Sequence, residues 1–200
     1  MFLAYLSGAL LASLAAATAT RPPATPSPPI VDLGYSKFQG TALQNGVAQF
    51  LGIPYAAPPV GNLRFRAPRP PTPSKKVQFA QEWSPLCLGS TDRMLGGESE
   101  DCLYISVFKP TSAKATAKLP VLVFIQGGGY GALMNSHYNG SELVQNSNNG
   151  AVFVHFNYRV GAYGFLASEQ VRREGDLNVG LLDQQFALKW VQKHISKVRT

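Results

Sequence analysis

The amino-acid sequence predicts an α/β fold in which strands and helices form separate layers. Three runs of β-branched and aromatic residues, at 103–108, 121–125 and 151–156, are typical of strands buried on both faces of a mostly parallel sheet. A helix is predicted over residues 181–197, and strands that alternate with helical segments are typical of layered α/β domains. Short apolar stretches at 30–34 and 47–55 predict small antiparallel strands ahead of this sheet.

The predicted helix is apolar over more than half of its circumference. Two apolar lines run along it: a stripe of Leu181, Leu188, Val191 and Ile195 with Ala187 beside it, and a second line of Phe186 and Trp190. A helix with such a wide apolar surface is expected to pack between a sheet and another layer.

The composition is that of a globular chain with a mild basic bias. Hydrophobic residues make up 45% of the 200 residues and charged residues only 14%, so the chain can bury a core. The net charge of +7 is scattered, and the longest basic runs contain two residues each. Because no basic stripe with interleaved aromatic residues is present, no nucleic-acid partner is expected.

The first 29 residues are expected to lie outside the folded domain. Residues 2–17 are apolar without a charged side chain, and Ala17-Thr18-Ala19 has small residues at the two positions that a signal peptidase reads. Residues 1–19 are therefore interpreted as a signal peptide, and the five prolines of residues 20–29 predict an extended leader. No second long apolar run follows, so we expect a secreted, extracellular protein without a membrane anchor.

Secretion determines how the two cysteines are interpreted. In an oxidising compartment Cys87 and Cys102 are expected to form a disulfide, the alternative being two buried free thiols. A metal site is not expected, because no second Cys/His pair stands at ligand spacing. Asn139-Gly140-Ser141 is a glycosylation sequon, so Asn139 is predicted to carry a glycan on an exposed loop.

The strongest chemical signal is Gln126-Gly127-Gly128-Gly129-Tyr130, which follows the second apolar run directly. Glycines weaken strands, and here they permit positive φ and close approach of a ligand to main-chain N–H groups. Such N–H groups at the carboxyl edge of a sheet can stabilise an oxyanion during acyl transfer. The alternatives are a tight strand-to-loop turn or a phosphate cradle, although the Lys-Ser/Thr tail of a P-loop and a complete GxGxxG pattern are both absent.

Five ordered segments together resemble the type-B carboxylesterase/lipase family, which comprises cholinesterase-like α/β-hydrolases and also non-catalytic neuroligins. They are Phe-Leu-Gly-Ile-Pro-Tyr-Ala at 50–56 with Pro-Pro-Val-Gly at 58–61 and Leu-Arg-Phe at 63–65, Glu-Asp-Cys-Leu-Tyr-Ile-Ser-Val at 100–107, the glycine segment, Asn-Tyr-Arg-Val-Gly at 157–161 with Gly-Phe-Leu at 164–166, and Asn-Val-Gly-Leu-Leu-Asp-Gln at 178–184. The resemblance covers about residues 30–197. It implies that residues 30–200 are the N-terminal part of an α/β-hydrolase domain.

The resemblance also implies a function and a site. The parent activity would be hydrolysis of a carboxylic ester through an acyl-serine, with an ester substrate as partner and no cofactor or metal. Backbone N–H groups of Gly128 and Gly129 would form two arms of the oxyanion hole, and Tyr130 would lie beside the acyl pocket. Gln126 stands where many esterases of the family carry His or Tyr, and we expect its backbone rather than its side chain to shape the loop.

A structural frame follows from the same resemblance. It would contain the first disulfide of the family and two structural ion pairs, namely Cys87–Cys102, Arg64–Glu100 and Arg159–Asp183. The segment between the two cysteines contains no Trp, Tyr or Phe, so the aromatic platform that binds a quaternary ammonium by cation–π attraction is missing. Choline-ester specificity is therefore not expected.

The catalytic triad is not found in these 200 residues. In the family the Gly-x-Ser-x-Gly nucleophile elbow, the acidic residue and the general base follow the helix at 181–197, so the domain is expected to be truncated before the elbow. His137, His155 and His194 are interpreted as structural or solvent-facing, because a triad needs its members within hydrogen-bond reach. The alternative function is that of a catalytically inactive, esterase-like binding protein.

Overall fold

The computed structural model of the chain describes residues 27–89, 97–114, 116–135 and 137–198. Within these ranges the strands are β1 (Ile30–Asp32), β2 (Lys37–Gln39), β3 (Thr41–Ala42), β4 (Val47–Pro54), β5 (Val77–Phe79), β6 (Leu86–Cys87), β7 (Glu98–Ser99), β8 (Tyr104–Pro110), β9 (Val121–Ile125) and β10 (Val152–Phe156). The helices are α1 (Ser141–Asn146), α2 (Gly161–Phe165), α3 (Glu169–Glu174) and α4 (Val179–Val198). The predicted signal peptide (1–19) and leader residues 20–26 lie outside the described residues.

A five-stranded mixed sheet lies at the centre, in the order β3-β4-β8-β10-β9. The β9–β10 pair is parallel, whereas the β3–β4, β4–β8 and β8–β10 pairs are antiparallel. The predicted α/β class is confirmed, but the described part of the sheet is mixed rather than mostly parallel. Most residues of β8 are apolar because both faces of the strand are covered, and not because its neighbours run parallel to it.

Both faces of this sheet are covered by helices. Alternate residues of a strand point to opposite faces, and Ile105 and Val107 of β8 accordingly join the larger hydrophobic cluster, which includes Trp190 of α4. Phe108 of β8 joins a smaller cluster with Val144 of α1. The sheet is therefore the middle layer of three, as in layered α/β domains.

Two smaller sheets flank the central one in the described residues. β1, β2 and β5 form the first, in which β1 and β2 pair antiparallel, as the short apolar stretch at 30–34 predicts. β6 and β7 form the second, and its register places Cys87 opposite Ser99.

β9 is the edge strand of the central sheet in the described part of the chain. Leu122 and Ile125 point to opposite faces and are 54% and 42% exposed. The prediction that residues 121–125 are buried on both faces is therefore wrong. The described helices cover the middle of the sheet and leave both faces of this edge partly open.

α4 is longer than predicted at both ends, and its buried face differs from the predicted stripe. Val191 is buried as predicted, but Leu181 and Leu188 are about two-fifths exposed. The buried face is centred near the small Ala187, about 120° around the helix axis from Leu181. Neither α4 nor any other described helix combines the length and the apolar character needed to cross a membrane.

Candidate functional site

The glycine loop, residues 126–130, lies at the carboxyl end of β9. It sits beside the end of β10, because the two strands are parallel and in register as far as Ile125 and Phe156. Open α/β sheets place their ligand sites at this edge. Gln126 is buried at the base of the loop, and the residues after it are partly or fully exposed.

The loop backbone requires glycine at one position above all. Gly128 and Gly129 have φ values of +142° and +61°, in a region that glycine enters at little cost. A Cβ atom on Gly128 would overlap the carbonyl oxygen of Ala132, whereas a Cβ on Gly127 or Gly129 would meet open space. Gly128 is therefore fixed by both conformation and packing.

Most carbonyl groups of the loop accept hydrogen bonds, whereas the N–H groups that follow Gln126 donate to no backbone carbonyl in the described part of the chain. Gly131 donates its N–H to the Gly128 carbonyl at 3.1 Å, and Met134 donates to the Gly127 carbonyl at 3.0 Å. Among the described residues, the N–H groups of Gly128 and Gly129 donate to no backbone carbonyl. Two adjacent free donors on a folded-back loop are the elements from which an oxyanion hole is built.

Tyr130 anchors the C-terminal end of the loop. It has a φ of +61°, which is uncommon for a bulky residue, and its carbonyl accepts the N–H of Gly161 at 2.6 Å. Its ring lies 4.7 Å from that of Phe165 in α2, and its side chain is half exposed. Its predicted position beside an acyl pocket stays a prediction.

The side chain of Gln126 contributes to the site in a way that the sequence analysis missed. Its Nε2 donates to Oδ1 of Asn157 at 2.9 Å and to the carbonyl of Phe156 at 3.3 Å. This corrects the expectation that only the backbone matters, since the amide ties the end of β9 to the end of β10. The signal available in the sequence is a polar residue placed between an apolar run and three glycines.

Asn157 is the centre of a buried hydrogen-bond network beneath the loop. Its Nδ2 donates to the Pro85 carbonyl at 2.9 Å, and its own carbonyl accepts the Tyr55 hydroxyl at 2.8 Å. The Tyr158 hydroxyl donates to the Gln126 carbonyl at 2.8 Å. Burial raises the pKa of both tyrosines, so their hydroxyls stay protonated donors.

Arg159 and Asp183 form a buried bidentate pair. Nε and Nη2 of Arg159 donate to the two carboxylate oxygens at 2.8 and 2.7 Å, and the backbone N–H of Arg159 adds a third bond at 3.1 Å. Nη2 also donates to the Arg66 carbonyl at 2.7 Å. Burial raises the pKa of Asp183, and the bonds from Arg159 oppose that shift. The pair joins the segment after β10 to α4.

Arg64 and Glu100 form a second bidentate pair, nearer the surface. The Nε–Oε2 and Nη2–Oε1 distances are 2.6 and 2.7 Å.

The Cys87–Cys102 disulfide is present, which confirms the predicted pairing and excludes two free thiols. Arg64, Arg159 and both cysteines line one small cavity, so the disulfide is close to both ion pairs.

The predicted glycosylation site lies on the surface. Asn139 is exposed and is separated from α1 by Gly140. Its Oδ1 accepts the N–H of Ser141 at 3.0 Å. Attachment of a glycan stays a prediction.

The described residues bring together no Ser–His–carboxylate set. His155 is buried in β10, where burial and the nearby His137 lower its pKa to about 4, and His194 is buried on α4. None of the three histidines is hydrogen-bonded to a serine hydroxyl within the described ranges; His137 contacts the Ser84 carbonyl instead. Within the same ranges no three His, Cys, Asp or Glu side chains converge in a way that could hold a metal.

Comparison with known proteins gives consistent matches over most of the chain. A sequence model of the Carboxylesterase family matches residues 27–198. The para-nitrobenzyl esterase of Bacillus subtilis (strain 168) is 41% identical over 175 residues, which cover 84% of this chain and 35% of that protein. Lipase 1 of Geotrichum candidum is 36% identical over 186 residues, covering 77% and 33%. The crystal structure of Aspergillus niger EstA has a TM-score of 0.82 at 53% identity, covering 86% of this chain and 33% of that one.

The coverage is unequal in all of these matches. The similar region is most of this chain, but the chain spans only about a third of the length of the curated relatives that it matches.

Proposed function

This chain belongs to the carboxylesterase family, and from that premise we propose that it is the N-terminal part of a carboxylic ester hydrolase of the serine acyl-enzyme type. The observation that carries the proposal is the pair of free N–H groups at Gly128 and Gly129, held at the carboxyl end of β9. Relatives named as esterases and a lipase support the same class of reaction.

In the proposed reaction the loop stabilises charge and forms no covalent bond. A serine hydroxyl supplied from outside these 200 residues gives its proton to a general base, also supplied from outside them, as its oxygen attacks the ester carbonyl carbon. The π electrons of the carbonyl move to the carbonyl oxygen. This oxyanion accepts hydrogen bonds from Gly128 and Gly129, each of which contributes ~3 kcal/mol to the transition state. When this intermediate collapses, the protonated base gives the proton to the leaving oxygen, so that the alcohol departs and an acyl-serine remains. Water then hydrolyses the acyl-serine to the acid and restores the serine hydroxyl.

The frame beneath the loop holds these donors in place before substrate arrives. Gln126 and Asn157 tie the ends of β9 and β10 together, and Tyr158 fixes the peptide group that precedes Gly127. Donors fixed in advance need no reorganisation as charge develops, which is the main source of their effect. The acyl and alcohol sides of the pocket, with Tyr130 on the acyl side, complete the proposed site.

The proposed place of action is outside the cell. The apolar segment at 1–19, the exposed sequon at Asn139 and the Cys87–Cys102 disulfide support this. The segment and the sequon are sequence features, whereas the disulfide is also a feature of the structure.

A second candidate is an esterase-like protein that binds without catalysis. One observation favours it: the 200 residues contain no Gly-x-Ser-x-Gly sequence. Sequencing the mature transcript across codon 197 separates the two. A reading frame that continues into such an elbow supports the hydrolase, and a transcript without one supports the binding protein.

Hydrolysis of 4-nitrophenyl butyrate by the longest secreted product of the gene then tests the role of the loop. Gly128→Ala should lower kcat by about 10²–10³-fold, because the new Cβ displaces the donors from the oxyanion. Gly127→Ala is the matched control and should stay within a few-fold of the unmodified protein, because its Cβ enters open space. Equal rates for the two variants would remove the loop from the mechanism.

A further inference from the structure

A second cavity lies between α4 and the proline segment at 70–73. It has a volume of about 360 Å³, within the range of ligand pockets, and is here named the α4 cavity. None of the residues that line it belongs to the glycine loop. It is therefore a separate feature of the molecule.

The walls of the α4 cavity present hydrocarbon. Trp190 donates its Nε1–H to the Tyr35 hydroxyl at 3.1 Å, and that hydroxyl donates to the Pro54 carbonyl at 2.9 Å. The polar atoms of the two largest rings are thus already paired, and proline has no N–H to offer. An apolar body is what these walls accommodate, and they are formed by Tyr35, Phe186, Trp190, Pro70, Pro71 and Pro73.

The polar part of the lining is basic. Lys189 and Lys193 lie one turn apart on α4, and none of the described residues lining the cavity is acidic. Nζ of Lys189 donates one hydrogen bond to Oε1 of Gln185 at 3.3 Å, so two of the three N–H donors of its ammonium group are left for a ligand. The charge at the cavity therefore complements an anion.

His194 adds an unsatisfied polar atom to the same lining. Its side chain is more than nine-tenths buried, and its Nδ1 has no hydrogen-bond partner among the described residues. A buried polar atom without a partner costs free energy that a hydrogen-bonding ligand can recover.

We propose that the α4 cavity binds an apolar carboxylic acid in its anionic form. The hydrocarbon part packs against Tyr35 and Trp190, and the carboxylate pairs with Lys189 and Lys193. An inorganic anion would leave the aromatic and proline walls unused, so an amphiphilic acid fits the lining better. The site stands on its own residues and does not depend on the hydrolase activity proposed above.

Tryptophan fluorescence reads out occupancy directly. The chain has two tryptophans, Trp83 and Trp190, and a Trp83→Phe variant isolates the signal of Trp190 in the α4 cavity. Titration of the full chain with octanoate should give a saturable change with a Kd below about 1 mM. 1-Octanol, which has the same chain length without the charge, should bind about ten-fold more weakly.

Charge-removing variants test the carboxylate contact. Lys189→Met with Lys193→Met should weaken octanoate binding about ten-fold and leave 1-octanol binding unchanged. Lys118→Met, at an exposed lysine outside the cavity lining, is the matched control and should bind octanoate normally. Gly128→Ala should also bind normally, which separates this site from the glycine loop.

Calorimetry on the unmodified chain guards against a variant that fails to fold. Heat of octanoate binding that saturates, and an affinity that falls as salt is raised, would support the proposal. Absence of saturable heat up to several times the expected Kd overturns it. Equal affinities for octanoate and 1-octanol, or an unchanged affinity in the double lysine variant, would also overturn the carboxylate assignment.

Discussion

The two arginine–carboxylate pairs of this fold have the same bidentate chemistry but different surroundings. The side chains of Arg159 and Asp183 are 3% and 0% exposed, whereas those of Arg64 and Glu100 are 42% and 21% exposed. The hydrogen-bond distances in the two pairs lie within 0.2 Å of each other. Distance alone therefore does not distinguish them, and burial does.

The difference shows where an ion pair becomes essential to a fold. Breaking a buried pair leaves a charge that neither water nor protein can stabilise, and this is strongly destabilising. Breaking an exposed pair returns both groups to water, and little is lost. We therefore expect Arg159–Asp183 to be required for the frame under the glycine loop, and Arg64–Glu100 to be dispensable.

The largest expected effect comes from Asp183→Asn. It leaves the buried guanidinium of Arg159 without its counter-charge and should lower the free energy of unfolding by about 3–5 kcal/mol, measured by urea denaturation. Arg159→Met combined with Asp183→Leu should recover at least half of this loss, because no buried charge remains. A double variant no more stable than Asp183→Asn would show that the pair has a role beyond compensating its own burial.

The second-largest loss of stability is expected from removal of the disulfide. It closes a loop with a sequence separation of 15, and replacing both Cys87 and Cys102 with Ala should lower the free energy of unfolding by roughly 3 kcal/mol in the chain-entropy model. The same change loosens the segment that carries Glu100. Glu100→Gln should then lower the stability of the Cys87→Ala/Cys102→Ala variant less than it lowers the stability of the disulfide-bonded protein. An unchanged effect would separate the exposed pair from the disulfide.

His155 extends the comparison to a buried titratable group that has no counter-charge among the residues that the structure describes. Burial lowers the pKa of His155 to about 4. Between pH 6.5 and 4 the imidazole is therefore protonated in the unfolded chain but neutral in the folded chain, so the free energy of unfolding falls as the pH falls. The folded state should be about 2 kcal/mol less stable at pH 5 than at pH 8 through this group. Urea denaturation at both pH values measures it.

His155→Leu should remove most of that pH dependence. The part due to His194 remains, because burial lowers the pKa of that residue too. His137→Gln, at an exposed histidine, is the control and should leave most of the difference between pH 5 and pH 8 in place. A His155→Leu chain that keeps the full pH dependence would place its origin elsewhere.

The sequence predicts those parts of the fold whose signals are local. Runs of apolar residues identify β8, β9 and β10, and three successive glycines identify the loop. Strand burial and positive φ each favour particular residue types at adjacent positions, so both can be recognised in a short stretch of sequence. The edge position of β9 and the exposure of Leu181 depend on which distant elements cover them. The bond between Gln126 and Asn157 joins residues 31 positions apart, so no local pattern reveals it.

The smallest expected effect is that of Glu100→Gln, and it tests the comparison most sharply. Because Arg64 is already partly in water, the variant should lower Tm by no more than about 3 °C. Raising the salt concentration to about 1 M should remove most of the remaining difference, since exposed charges are screened over a few ångströms at that concentration. Arg64→Lys keeps the charge but loses the two-pronged geometry, and should behave like Glu100→Gln if geometry rather than charge is what the pair contributes. If Glu100→Gln lowered stability nearly as much as Asp183→Asn, the cavity that Arg64 shares with the disulfide would have to exclude water from the Arg64–Glu100 pair as well. Exposure would then not distinguish the two ion pairs.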